Sequence, residues 1–337
     1  LKTKIVLFFL SLAIAFLGLK DYDLINYGVS QLNGQLKILG STLTKKEFIK
    51  LSSTSHKEKL ALKKLESILR FAKLNGLDAG NKYQKIVSPS HPKLMVVSAS
   101  QQFSVKPYTW SFPFLGSVPY KGFFNRNLLY KEMNFLRKRN FDCDTGQVNA
   151  YSTLGILNDP IMPSMLHSSE SEMAETIFHE LVHKYYFEPK KQHLNESLAQ
   201  AFGEELTLLY LQKFYGKRSL EVKEYELKIK KRDKLQIFFR EYSIKLNKFY
   251  SSKLFLKSKN KMELKQKKYR ELYSLMYRKR LANKQKLNHL VYKIQLSQNA
   301  FFSDYIVYFS NKDSLKQVLW SNHNGNFMKM IKAIKNY

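Results

Sequence analysis

Two histidines four residues apart, with a glutamate beside the first, are the side chains in this sequence best suited to chemistry: His179-Glu180-Leu181-Val182-His183. On an α-helix, positions i and i+4 share a face, so both imidazoles can offer a nitrogen to one metal ion. Glu180, one residue round, then stands beside a water that the metal activates and can take its proton. A catalytic zinc takes three protein ligands and keeps one position open. The third ligand must therefore come from outside the pentapeptide.

The elements that have to position these groups can be read on either side. Ser169 followed by Glu172 is a capping box. Ala174, Ile177, Phe178, Leu181, Val182 and Tyr185 form an apolar stripe at helical spacing, and Pro189 ends it. A metzincin would need a glycine at position 186 and a histidine at position 189; Tyr186 and Pro189 exclude that class. A second helical pattern opens at Leu194-Asn195-Glu196-Ser197, with Leu198, Phe202, Glu205 and Leu209 along one side. Glu196 falls in its first turn, the usual place for the carboxylate of the glutamate-type zincins, and the Pro189–His193 turn can fold it back onto the first helix. His193 and Glu204 are the rival ligands.

Ahead of the helix, Val148–Leu154 has the pattern of a strand that could pair its backbone with a bound peptide, with Asp159-Pro160 as its end. Tyr151 on that strand is a candidate to donate its phenol to a developing oxyanion, with packing into the core as the alternative. Upstream, Asp21–Leu39 reads as a helix in which Gly28 and Gly34 cost propensity, so that something should pack closely there. Thr44–Leu74 reads as one or two lysine-rich helices with Leu60, Leu62, Leu65, Ile68, Leu69 and Phe71 inward, stopped at Gly76. Leu94–Ala99 is a β-type run, Phe103–Phe124 alternates aromatics with Pro and Gly as short strands and turns do, and Asn127–Arg139 is a short basic helix. The expected fold class is α+β: a mainly helical, zincin-like chain with a small sheet beside the active helix and a basic helical C-terminal region. Three parts are expected: a leader over 1–20, a peptidase domain over 21–215 and the lysine-rich helices of 216–337.

Composition narrows the classes. A hydrophobic content of 44% argues against wholesale disorder, and a single cysteine, Cys143, excludes an intramolecular disulfide. Residues 216–337 carry 30 basic and 9 acidic side chains, so +21 of the net +30 lies there. Such a balance invites nucleic acid, yet no nucleic-acid motif accompanies it, and attraction to anionic lipid headgroups fits better. Lys2-Thr3-Lys4 followed by the uncharged Ile5–Leu19 reads as an export leader, either cut after Ala15 or kept as a membrane anchor. The expected location is the periplasm or cell envelope, with no nucleic-acid partner.

Several ordered blocks resemble the family of predicted bacterial aminopeptidases. Tyr27, Gln31 and Gly34-Gln35-Leu36 resemble its N-terminal helix; Trp110-Ser111-Phe112-Pro113, Gly116 and Tyr120-Lys121-Gly122-Phe123-Phe124 resemble its central block. Ala150-Tyr151-Ser152-Thr153-Leu154-Gly155, Asp159-Pro160, the His179–His183 motif and Asn195-Glu196-Ser197 follow in the family's order. Pro119 departs from the small residue expected there, and no lipobox cysteine follows the leader. The resemblance runs from about residue 25 to 210. It implies a zinc-dependent aminopeptidase acting on peptides, with Zn²⁺ on His179, His183 and Glu196 and with Glu180 as general base. Glu204 and Glu205 are candidates to hold a substrate's amine. Two other readings stay open: a non-catalytic envelope protein on a zincin scaffold, and a basic membrane-surface or nucleic-acid-binding protein in which the motif is incidental.

Overall fold

A computed structural model describes residues 22–88, 91–112, 116–147, 159–188, 191–307 and 312–335. The leader and the 148–154 segment with Tyr151 lie outside the described residues. Helices make up 67% of the structure and the rest of the regular backbone is small antiparallel sheet, which is the α+β class. The family-like helix is α1 (Tyr22–Gly40), followed by β1 (Thr42–Thr44), α2 (Lys45–Lys50) and α3 (His56–Leu74). Both α2 and α3 open on a full capping box, Thr44 with Glu47 and Ser55 with Glu58. The α3 stripe buries Leu62, Leu65, Ile68 and Phe71 as expected, but Leu60 lies on the solvent side.

The main sheet has the order β6-β3-β7, from β3 (Met95–Gln101), β6 (Lys121–Phe123) and β7 (Phe141–Gln147), all antiparallel. Strand β1 pairs with β2 (Lys85–Val87), and β4 (Trp110–Phe112) pairs with β5 (Gly116–Val118). Strand β7 runs Phe-Asp-Cys-Asp-Thr-Gly-Gln, a poor strand former by propensity. It is held because alternate residues serve opposite faces. Cys143 is buried against the helix α4 (Arg126–Lys138), while Asp142 and Asp144 face the C-terminal helices. There Asp142 takes Lys265 at 2.6 Å and the Asn299 backbone amide at 3.1 Å, and Asp144 accepts from Ser297 at 2.7 Å.

Two of the family-like blocks, that of α1 and that of residues 120–124, meet at this sheet. Tyr27 Oη and Gln31 Nε2 of α1 both donate to the Gly122 carbonyl of β6, each at 3.0 Å. Gly34 is where the Phe124 ring lies on α1; a Cβ there would come within 2.1 Å of the ring. The close packing expected around that glycine is therefore a strand-end aromatic on the helix.

Downstream come α5 (Pro163–His167), the active helix α6 (Glu170–Tyr185), α7 (Gln192–Tyr215), α8 (Leu220–Tyr250), α9 (Lys253–Lys257), α10 (Lys261–Arg278), α11 (Lys284–Ser297), α12 (Ala300–Val307), α13 (Lys312–His323) and α14 (Phe327–Lys335). Helix α7 is buried nearly all round: Leu198, Ala199, Ala201, Phe202, Leu206 and Tyr210 are all inside. A helix apolar on all sides belongs in the middle of a core. It is covered by α6, by α8 and, from the far end of the chain, by α13 and α14, whose Phe327 ring sits 5.0 Å from that of Phe202. A second core joins α8 to α9–α12 around Phe239, Tyr269 and Phe302. Among the described residues no helix is long and apolar enough to cross a membrane.

Candidate metal centre

The His179–His183 helix forms where its spacing predicts. Ser169 accepts from the Glu172 amide and Glu172 returns the bond, a complete capping box, and the helix ends at Tyr185. Ile177, Phe178, Leu181 and Val182 are wholly buried. Each contributes roughly 1.5–3 kcal/mol of transfer free energy, and this fixes which face is left for the histidines. Helix α6 packs chiefly on α7 and α3.

The α6–α7 pair is antiparallel. Glu196 meets His179 and His183, Gly203 meets Glu175 and His179, and Tyr210 and Tyr215 both donate to Glu170. The helices approach most closely at Gly203, where a Cβ would lie 3.2 Å from the Glu175 carbonyl and 3.4 Å from the His179 Cβ. Asn195 fixes the connecting turn: its Oδ1 accepts from the Glu188 amide at 3.0 Å and its Nδ2 donates to the Glu188 carbonyl at 2.8 Å. The Asn-Glu-Ser block thus has a mechanical reading, in which Asn195 closes the turn and the next residue is aimed at α6. Helix α7 starts at Gln192, earlier than expected, so Glu196 sits in its second turn and not its first.

His179 Nε2 and His183 Nε2 are 3.2 Å apart, and the Glu196 carboxylate places one oxygen 3.4 Å from the first and the other 3.7 Å from the second. These three residues form a group able to hold a metal ion. With zinc–nitrogen bonds of about 2.0–2.1 Å, the edge of a tetrahedron of ligands is about 3.3 Å. The observed separations lie close to that edge, so the donor set fits zinc in number, type and spacing.

Electrostatics agree with the geometry. Burial, helped by His179 and Lys82, pushes the His183 imidazole down to about 4, which favours the neutral, ligating form. Burial works against a proton on His179 too, but its hydrogen bond to Glu196 and the charges of Glu180 and Glu196 outweigh that and raise it. Desolvation opposes charge on Glu196; the two imidazoles overcome it and hold the carboxyl below its usual range.

The other candidates fall elsewhere. Glu204 is fully buried, but among Arg232 at 2.6 Å, Lys312 at 2.9 Å and Lys316. Glu205 accepts from Trp320 Nε1 at 3.0 Å. The charge of Arg240 bears on His193. Sequence reasoning gave no role to three residues that flank the site. Tyr120, in the turn before β6, is 41% exposed, yet burial of its phenol and the charges of Glu196 and Glu180 raise it. Tyr83, buried with φ 59°, feels Glu180 and Asp159. Lys82 forms a buried 2.6 Å ion pair with Asp159. The aromatic character of 103–124 was the signal that could have found Tyr120.

Residues 26–337 match the model of the family described as "Putative aminopeptidase". The chain belongs to that family. The match runs past residue 210, where the motif resemblance stops, through the lysine-rich C-terminal helices, so these belong to the family's architecture as well. No curated protein and no solved structure matches the chain. Membership of an aminopeptidase family supports a peptidase, a hydrolase acting on peptide bonds.

Proposed function

We propose that this member of the family is a zinc-dependent aminopeptidase of zincin-like architecture. The observation that carries the reading is the convergence of His179, His183 and Glu196 on one centre, with Glu180 one residue from the first ligand. A zinc ion held there would supply Lewis acidity toward a substrate carbonyl and lower the pKa of water. Glu180, half-buried and next in sequence to His179, takes the proton of the attacking water and delivers it to the leaving amine. Tyr120, whose phenol feels the charges of Glu196 and Glu180, would donate its proton to the oxyanion as a hydrogen bond. Gly203 and Asn195 hold α7 against α6 so that Glu196 stays aimed.

Export through the basic-apolar leader, with the protein in the cell envelope, remains part of this proposal; fractionation of the full-length chain tests it. The function itself is tested by metal content and by release of amino-terminal residues from peptides. The parent is expected to contain one zinc and to cut. Glu180→Gln is expected to keep the zinc and lose about 10²–10⁴-fold in rate. A parent that binds no metal, or a Glu180→Gln variant as active as the parent, ends the reading.

A further inference from the structure

A cleft of about 810 Å³ lies between α8, α11 and α12, within the size range of small-ligand sites. Its wall is apolar at Leu235, Leu290 and Phe301, while five basic side chains face it against two acidic ones, Asp144 and Glu224. Three of the basic groups are engaged: Lys228 holds Glu172 at 2.8 Å, Arg232 pairs with Glu175 and Glu204, and Lys293 lies 3.3 Å from Asp144. Lys231 and Lys286 are exposed, and neither amino group has an acidic partner among the described residues. A wall of this kind suits a ligand with carboxylates on an otherwise apolar or neutral body.

Lys228 and Arg232, which line the cleft, bond Glu172 and Glu175 in the first half of α6.

We propose that this cleft binds the acidic part of a peptide chain.

The test uses the full chain carrying Glu180→Gln, so that a bound peptide stays intact. Two fluorescent hexapeptides, three alanines followed by three glutamates or by three lysines, are titrated by anisotropy. The glutamate peptide is expected to bind, less tightly as salt rises, and the lysine peptide not to bind. Lys231→Ala/Lys286→Ala is expected to weaken binding about fivefold or more. Lys245→Ala/Lys267→Ala, which removes the same charge from exposed positions outside the cleft, is expected to leave binding unchanged. Equal binding of the two peptides, or equal loss in the two double variants, overturns the site. Dodecanoate is the second probe: its binding through Lys231 and Lys286 without any binding of the glutamate peptide overturns the peptide assignment.

Discussion

Two carboxylates on α7, Glu196 and Glu204, lie eight residues apart and meet opposite fates. Glu196 faces two imidazoles of α6, with nitrogens 3.4 and 3.7 Å away. Glu204 sits in a balanced set in which three acids, Glu175, Glu204 and Asp233, meet three bases, Arg232, Lys312 and Lys316. The first cluster collects acceptors and calls for a cation. The second has its cations built in and needs none. The same residue type on the same helix joins a group able to hold a metal ion or becomes a structural anchor according to what the other helices bring to it.

The comparison can be broken most decisively at Glu196. Glu196→Ala removes a ligand, and metal affinity is expected to fall by more than about 100-fold, beyond what loss of a supporting contact costs. The thermal unfolding of the metal-free protein should barely move. Metal content after dialysis and calorimetry of the apo protein read the two effects; a variant that keeps its zinc moves the third ligand elsewhere.

Glu204→Ala should do the reverse. It leaves Arg232, Lys312 and Lys316 without their common carboxylate and is expected to cost about 3 kcal/mol of stability, while the folded fraction still loads one zinc. Denaturant unfolding paired with metal content checks this. Loss of zinc from the folded variant would mean that the two clusters are not separable.

Gly203→Val tests the joint between them. A side chain there meets the Glu175 carbonyl and His179 at once, so α7 must move off α6. Stability is expected to drop by about 1–3 kcal/mol, and zinc affinity should fall with it because His179 and Glu196 separate. A Val variant that loses stability while binding zinc as the parent does would show that the close approach serves packing alone.

The smallest effect concerns Glu172, at the opening of α6. Its hydrogen bond from Lys228, together with the Ser169 cap, outweighs desolvation and brings its carboxyl down to about 2. A carboxyl whose folded pKa lies below its unfolded value stabilises the fold above the unfolded pKa, and that stability is lost as pH falls toward the folded value. Glu172→Gln is therefore expected to be less stable than the parent at pH 7, with the gap closing between about pH 4.5 and pH 2. Because the side chain is about half exposed, the gap should be under about 1 kcal/mol. Unfolding curves at stepped pH measure it, and a gap that does not depend on pH would assign it to the cap geometry and not to charge.

Much of the site was legible because its rules are local. The i, i+4 histidines, the Ser169–Glu172 box and the apolar stripe of α6 all depend on residues within a turn or two of each other. Strand β7 was not legible. Its aspartates argue against a strand until Lys265, Ser297 and Asn299, more than 120 residues later, satisfy them on one face of the sheet.

Sequence alone determined that two imidazoles share a helix face with a glutamate beside them, and that a turn and a second helix follow. In the linear chain Glu196 is favoured by its place near the start of the second helix, with His193 and Glu204 as rivals; which acid faces the histidines was decided by tertiary structure. The choice between them turns on Arg232 from α8 and on Lys312 and Lys316, which come from α13 more than 100 residues downstream and neutralise Glu204. Short-range spacing sets which way a side chain points from its own helix. Which charges stand opposite it depends on long-range packing, and no local pattern encodes that.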